Sequence, residues 1–306
     1  MSALTYPQAI VIGALQGVTE LFPVSSLGHS VLVPAWLGGS WSALVTEGNS
    51  DTGTPYLAFV VALHVATAAA LLTFYRHDWV RIIGAFATSV RTRRIETSSQ
   101  RLAWLVIVAT IPVGVLGLAL EHPLRTLFAK PLAAGCFLLL NGFVLAGAEV
   151  LRRRQSMSLA EYGRRYAARE RGEVVPDTTR RIDELTYAEA GGIGVVQSLA
   201  LLAGISRSGV TMAGGLLRGL DHEDAAKFAF LLATPVILAA GILKLPELAG
   251  PAGDGITGQV LVGSIVAAVA AYVAVRFLTQ YFHTRTLLPF AVYCIAAGAI
   301  SVVRFR

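Results

Sequence analysis

The sequence predicts an all-α, polytopic membrane protein: an inverted-topology repeat in which each half is a re-entrant helix hairpin followed by three transmembrane helices. Three observations predict it. The first is composition: of 306 residues, 55% are hydrophobic and 14% charged, against roughly a quarter charged in a soluble domain, and the mean hydropathy is +0.63. Something other than water must solvate much of such a surface. The second is a set of six uninterrupted apolar runs, and the third is a pair of apolar segments broken in the middle by matching polar strings.

The elements follow in chain order. Residues 7–37 read as a helix to Leu21, a break at Phe22-Pro23-Val24-Ser25-Ser26, and a second helix from Leu27. Spans at 55–75, 102–120 and 132–151 come next, each long enough to cross a hydrocarbon core of about 30 Å. The apolar patch at 82–90 is too short to span and is expected at the interface or in a loop. After a hydrophilic linker, residues 189–220 repeat the broken plan around Ala203-Gly204-Ile205-Ser206-Arg207-Ser208-Gly209, followed by spans at 225–243, 260–278 and 286–303. Neither half of a broken segment can cross alone, so each pair reads as a hairpin. Its unwound tip must lie in protein or line a wet cavity, because lipid cannot satisfy free backbone groups.

The two tips align without a gap, Gln16 on Gln197, Ser25 on Ser206, Ser26 on Arg207 and Gly28 on Gly209. Residues 1–151 are then a first repeat, 152–186 a cytoplasmic linker and 187–306 a second repeat. A hairpin returns to its own side while three spans do not, so the second copy starts from the opposite face and the tips meet near the middle. Charge gives an independent check. No Lys or Arg precedes Arg76, whereas residues 76–101 and the linker are rich in arginine. The positive-inside rule puts both of those in the cytoplasm and both chain ends outside. The linker reads first as a solvated loop that orients the chain, and second as a partner-binding segment.

The net charge of +6 does not indicate nucleic acid, since the basic residues cluster between apolar runs and no zinc-finger, RNA-sheet or helix-turn-helix signature occurs. Anionic lipid headgroups are their expected neighbours. Cys136 and Cys294 lie inside apolar runs and read as buried small hydrophobes. The first residues carry no basic stretch or small-residue cleavage site, so no cleaved signal peptide is expected.

Chemistry concentrates at the tips. Gln16 and Glu20 lie four apart on one helical face, Ser25 and Ser26 stand where a half-helix begins and favours an anion, and His29 is one turn further in. An intramembrane carboxylate and imidazole are expensive unless paired or hydrated, and so mark a functional site; the plainer alternative is that Glu20, His29 and Gln16 only brace the hairpin. The second tip adds Arg207, a planar five-donor cation suited to phosphate oxygens, with Ser206, Ser208 and Thr211 around it and Gly204 and Gly209 permitting a tight turn. Together these groups can serve phosphoryl transfer, which needs a positioned nucleophile, charge neutralisation and a proton. No P-loop, Rossmann or HExxH pattern is present.

The strings QGVTELFPVSSLGH and GISRSGVT resemble the two signature motifs of the bacterial undecaprenyl-diphosphatase family, also known as bacitracin-resistance proteins, and the resemblance covers nearly the whole chain. It implies hydrolysis of undecaprenyl diphosphate to undecaprenyl phosphate and inorganic phosphate, recycling the carrier lipid for wall synthesis in a bacterial cell membrane; the topology read above adds the expectation that the site faces outward. By resemblance the acidic motif falls on Gln16 and Glu20, the serine pair on Ser25 and Ser26, the histidine on His29, and the arginine motif on Ser206, Arg207, Ser208 and Thr211. It also implies a divalent cation, Mg2+ or Ca2+, held by Glu20 together with the diphosphate. Leu27 stands where threonine is common and Ala203 where proline is usual, which removes a hydroxyl from the first tip and leaves the second break to its glycines.

The expected roles are Arg207 clamping phosphate, helped by Ser206, Ser208 and Thr211; Glu20 as base or metal ligand; Ser26 as nucleophile; and His29 assisting proton transfer. Attack by His29 or by water stays open. The alternative from another class is a polyprenyl-phosphate transporter using the same two tips. A homodimer is a further candidate that these motifs neither require nor exclude.

Overall fold

In a computed structural model, residues 4–46, 55–128, 130–155, 180–248 and 255–306 are described. Among them are twelve α-helices and no strand. The first hairpin is α1 (Tyr6–Thr19) and α2 (Ser26–Leu37), followed by a short α3 (Gly39–Thr46). Next come α4 (Pro55–Phe74), α5 (Arg76–Thr92), α6 (Ser98–Phe128) and α7 (Pro131–Gln155). The second hairpin is α8 (Tyr187–Gln197), a 3-10 turn (Ser198–Leu201) and α9 (Arg207–Leu217); α10 (His222–Leu248), α11 (Thr257–Tyr281) and α12 (Leu288–Phe305) complete the chain. Most of the linker, 156–179, lies outside the described residues.

Among the described residues six helices are long and apolar enough to cross a membrane: α4, α6, α7, α10, α11 and α12. They are the six runs expected, and polar caps start α6 and α10 ahead of their apolar stretches. Thr97 Oγ1 accepts from the Gln100 N–H at 3.2 Å while Gln100 Oε1 accepts from the Thr97 N–H at 3.0 Å, a reciprocal cap that starts α6 at Ser98. Asp221 accepts from the Asp224 N–H at 2.7 Å and starts α10 at His222. Many apolar side chains on these helices are exposed, Leu118, Val269, Val292 and Val303 among them, as a lipid-facing surface requires.

The arms of the hairpins have 14, 12, 11 and 11 residues, at most about 21 Å of helix and short of a crossing. Each leading arm reaches across to the other half of the chain. Helix α1 lies on α11, where a Cβ on Gly17 would come within 2.4 Å of the Ala267 carbonyl oxygen. Helix α8 lies on α6, where a Cβ on Gly194 would come within 2.3 Å of the Ala109 carbonyl oxygen. Small residues permit this contact, and close backbone approach drives helix association in lipid. The remaining large contacts pair α7 with α12 and α4 with both α11 and α10.

The arginine-rich segments gather at one end. Lys227 on α10 and Arg81 on α5 share Asp78, at 3.0 and 2.6 Å, Arg101 donates to the Leu185 carbonyl at 2.9 Å, and Arg180 forks onto Glu189 at 2.8 and 3.0 Å. Between them that fork holds the Glu189 carboxyl at about 2. The apolar patch at 82–90 belongs to α5, which buries Ile82 and Ser89 toward α6 and exposes Val80, Ile83 and Val90. The chain ends lie at the opposite end: Gln259 at the start of α11 donates to the Leu4 carbonyl at 3.0 Å, and Arg304 lies over the Trp36 ring at the end of α2.

Candidate active site

The first tip unwinds because Pro23 brings no N–H to continue α1 and because Ser25, with φ 71° and ψ 101°, leaves the helical region altogether. A non-glycine residue at positive φ is strained and must be held by its surroundings. Ser25 Oγ supplies the hold, accepting from the Gly28 N–H at 3.2 Å within its own tip and from the Gly204 N–H at 3.1 Å in the other. In the second tip Ser206 takes the matching position, capping α9 by accepting from the Gly209 N–H at 3.1 Å. The serines that the sequence aligned are thus both N-caps, each serving the glycine three residues on.

More bonds stitch the tips together. The Phe22 carbonyl, freed from helix pairing, accepts from Ser206 Oγ at 3.4 Å and Ser208 Oγ at 3.2 Å. Asn141 on α7, fully buried, donates to the Pro23 carbonyl at 3.1 Å and accepts the Ser206 N–H at 3.0 Å. Backbone groups that lipid could not satisfy are therefore satisfied by the opposite tip and by Asn141. Close approach depends on Gly204, at φ 113°, where a Cβ would fall 2.4 Å from the Ala134 carbonyl oxygen.

Glu20, the residue after α1, carries the charge between the tips. Its Oε1 accepts from Arg207 Nη2 at 2.5 Å. Its Oε2 accepts from Ser26 Oγ at 2.5 Å and Gln16 Nε2 at 2.9 Å, and lies 3.3 Å from His64 Nε2 on α4. The carboxylate is 4% exposed and the guanidinium 12%, so each charge at this depth has its counter-charge. Arg207 Nη1 is buried with no partner among the described residues. An orphaned buried donor is costly, and this one belongs to a side chain on the wall of a cavity.

That cavity, of about 330 Å³, has a polar floor of Glu20, Ser25, Ser26, His64, Ser206 and Arg207. Apolar walls rise from it, chiefly Val60 and Val61 of α4 and Val236 and Ile237 of α10. The arrangement can hold a phosphorylated headgroup on its floor and an apolar chain against its walls, with a hydroxyl already hydrogen-bonded to a base.

Of the residues singled out from sequence, Glu20, Ser25, Ser26, Ser206 and Arg207 reach the cavity. The others do not line it. His29 Nδ1 bonds the Ser25 carbonyl at 2.7 Å and Nε2 bonds the Tyr293 hydroxyl at 2.7 Å, so both nitrogens are engaged away from the cavity. Thr211 donates to Gln197 at 3.2 Å and Ser208 to Phe22 at 3.2 Å, and neither lines the cavity as Ser206 does. Gln16 acts on Glu20, while Gly204 and Gly209 serve the backbone. Sequence reasoning missed His64 and Asn141. Each is a polar side chain inside an apolar span, ALHVA and LLLNGF, and that was the available signal.

The residues do not fit a resident divalent cation. Among the described residues no group of three or more His, Cys, Asp or Glu could hold a metal ion, and both oxygens of Glu20 are already engaged. Hard cations want six or more oxygen ligands, several of them carboxylates or waters.

Residues 9–300 match the family described as bacitracin resistance protein BacA. A relative named undecaprenyl-diphosphatase 2, from Frankia alni, is 61% identical, the match covering 100% of this chain and 99% of the relative. Relatives named undecaprenyl-diphosphatase from Mycolicibacterium paratuberculosis and Mycobacterium avium are 58% and 57% identical, each match covering 98% of this chain and 97% of the relative. With its two polar tips in contact and this match along nearly its whole length, the chain belongs to the bacitracin resistance protein BacA family.

Proposed function

We propose that this chain hydrolyses undecaprenyl diphosphate to undecaprenyl phosphate and inorganic phosphate, returning carrier lipid to cell-wall synthesis. One observation carries the reading on the side of chemistry: Ser26 Oγ donates to Glu20 at 2.5 Å beside Arg207, on the polar floor of an otherwise apolar cavity. The names of the relatives support it, and they give the transport alternative no support.

In this reading the diphosphate lies on the floor, with Arg207 Nη1 and the Ser206 hydroxyl on its oxygens and the prenyl chain between α4 and α10. Ser26 Oγ attacks the terminal phosphorus in line with the bridging oxygen, and its proton passes to Glu20. The bond from the terminal phosphorus to the bridging oxygen breaks, and the electron pair leaves with undecaprenyl phosphate. Glu20 passes the serine proton to the departing undecaprenyl phosphate and is ionised again; water then attacks the phosphoserine with its proton passing to Glu20, which hands it to the Ser26 oxygen as inorganic phosphate departs. Arg207 neutralises charge on the equatorial oxygens throughout. A divalent cation, where required, travels on the diphosphate itself and is assigned no step.

The same reading makes the chain an inverted repeat, supported by the reciprocal packing of α1 on α11 and α8 on α6. It puts the arginine-rich end in the cytoplasm and both chain ends outside. The cavity then opens outward, since its walls come from the first half of α4 and the last half of α10. A homodimer would cover part of the exposed apolar surface of the spans. The test is phosphate release from undecaprenyl diphosphate by purified protein in detergent. The parent releases phosphate and Ser26→Ala does not; a fully active Ser26→Ala would refute the serine route. Movement of intact lipid phosphate between leaflets without release would refute hydrolysis.

A further inference from the structure

The Ser26–Glu20 pair has one more neighbour that the mechanism above leaves unused. His64 sits in the middle of α4, 26% exposed at its side chain, among the polar groups that line the cavity. Its two ring nitrogens face different groups. Nδ1 lies 2.8 Å from the Val60 carbonyl one turn back along the helix. A carbonyl can only accept, so Nδ1 carries a proton and the ring's orientation is fixed. Nε2 is left 3.3 Å from Glu20 Oε2.

The contact sets an imidazole edge against a carboxylate whose other neighbours all donate to it: Arg207 on Oε1, Ser26 and Gln16 on Oε2. Glu20 Oε2 thus has three polar neighbours, one from α1, one from the start of α2 and one from α4. Gln16 and Ser26 belong to the same hairpin as Glu20 and would move with it. His64 is the neighbour that ties the carboxylate to a membrane-spanning helix of the cavity wall.

We propose that His64 is a positioning residue for the phosphoryl-transfer step: its Nε2–H donates to Glu20 Oε2, holding that oxygen toward the Ser26 hydroxyl while Arg207 holds the other. The inference rests on the hydrolase reading and acts only through Glu20. Its loss leaves the headgroup's contacts with Arg207 and Ser206 intact, so turnover changes and substrate binding does not.

The experiment compares purified parent, His64→Leu and His64→Gln in phosphate release from undecaprenyl diphosphate, with Glu20→Gln and the Glu20→Gln, His64→Leu double variant alongside. A charge-assisted hydrogen bond to a base corresponds to roughly 10- to 100-fold in rate. His64→Leu is expected to lose kcat by about that factor at unchanged KM. His64→Gln keeps an amide donor in reach of Glu20 and recovers most of the loss. In the Glu20→Gln background, His64→Leu adds nothing. A folded His64→Gln protein as poor as His64→Leu, a change in KM alone, or parental turnover in His64→Leu would each overturn the proposal. Should His64→Leu not fold, the glutamine variant decides: retained kcat supports the donor role and lost kcat overturns it. An inactive parent would instead refute hydrolysis itself, which keeps the two failures distinct.

Discussion

Asn141 offers the sharpest test of how the two tips are joined, because it touches both and lines no part of the cavity. Replacing it by leucine keeps the branched outline of the side chain and removes a donor and an acceptor at once. The Pro23 carbonyl loses its 3.1 Å bond and the Ser206 N–H its 3.0 Å bond, both fully buried. Each orphaned group costs about 1–3 kcal/mol, so roughly 2–6 kcal/mol is at stake. Interhelical hydrogen bonds measured in membranes average about 0.6 kcal/mol, which sets a floor near 1 kcal/mol for the pair. The tips have a cheaper way out, since they can part slightly and let water reach the freed groups. Parting separates Glu20 from Arg207, and a misplacement of about 1 Å at reacting groups costs on the order of 100-fold in rate. Asn141→Leu is therefore expected to lower phosphate release at least 10-fold and to lower the apparent melting temperature in detergent. Asn141→Leu protein with parental turnover and melting would refute the idea that α7 pins the tips together.

Glu20→Ala leaves the Arg207 guanidinium buried without its counter-charge, which costs about 3–5 kcal/mol; the variant should melt earlier as well as lose activity, and the Glu20→Gln, Arg207→Gln double variant should recover part of the melting temperature. Glu189, held at about 2 against an ordinary 4.5, is depressed by the Arg180 fork, so its contribution to stability is complete above about pH 4.5 and disappears as pH falls toward 2. Melting curves between pH 6 and pH 3 should show a decline that Glu189→Gln flattens. Chelation by EDTA should leave the melting temperature unchanged, because no described side-chain cluster holds a resident cation. Any loss of turnover should return on adding Mg2+ or Ca2+; a fall in melting temperature on chelation would show a metal held by the protein.

What could be read in the sequence divides along physical lines. The spans were legible because roughly 20 apolar residues in a row have few alternatives, and the tips because proline, glycine and serine interrupt such runs. Ser25 and Ser206 aligned because both do one local job, capping a half-helix three residues ahead, and a local job leaves a local pattern. The starts of α6 and α10 were missed by a few residues because caps are polar and lie outside the apolar stretch. His64 and Asn141 were missed for a different reason. Each is a single polar residue in an apolar run, and its partner lies on another helix, Glu20 for His64 and both Pro23 and Ser206 for Asn141. His29 was legible as a polar intramembrane residue but not in direction. Which side of α2 it faces depends on Tyr293, 264 positions away.

One measurement bears on the whole account: a double-mutant cycle on phosphate release with Glu20→Gln, Arg207→Gln and their combination. If the carboxylate of one tip and the guanidinium of the other serve a single headgroup, each single variant loses nearly all turnover and the double variant is hardly worse than either. Losses that multiply independently would contradict it, because they would assign Glu20 and Arg207 to separate sites.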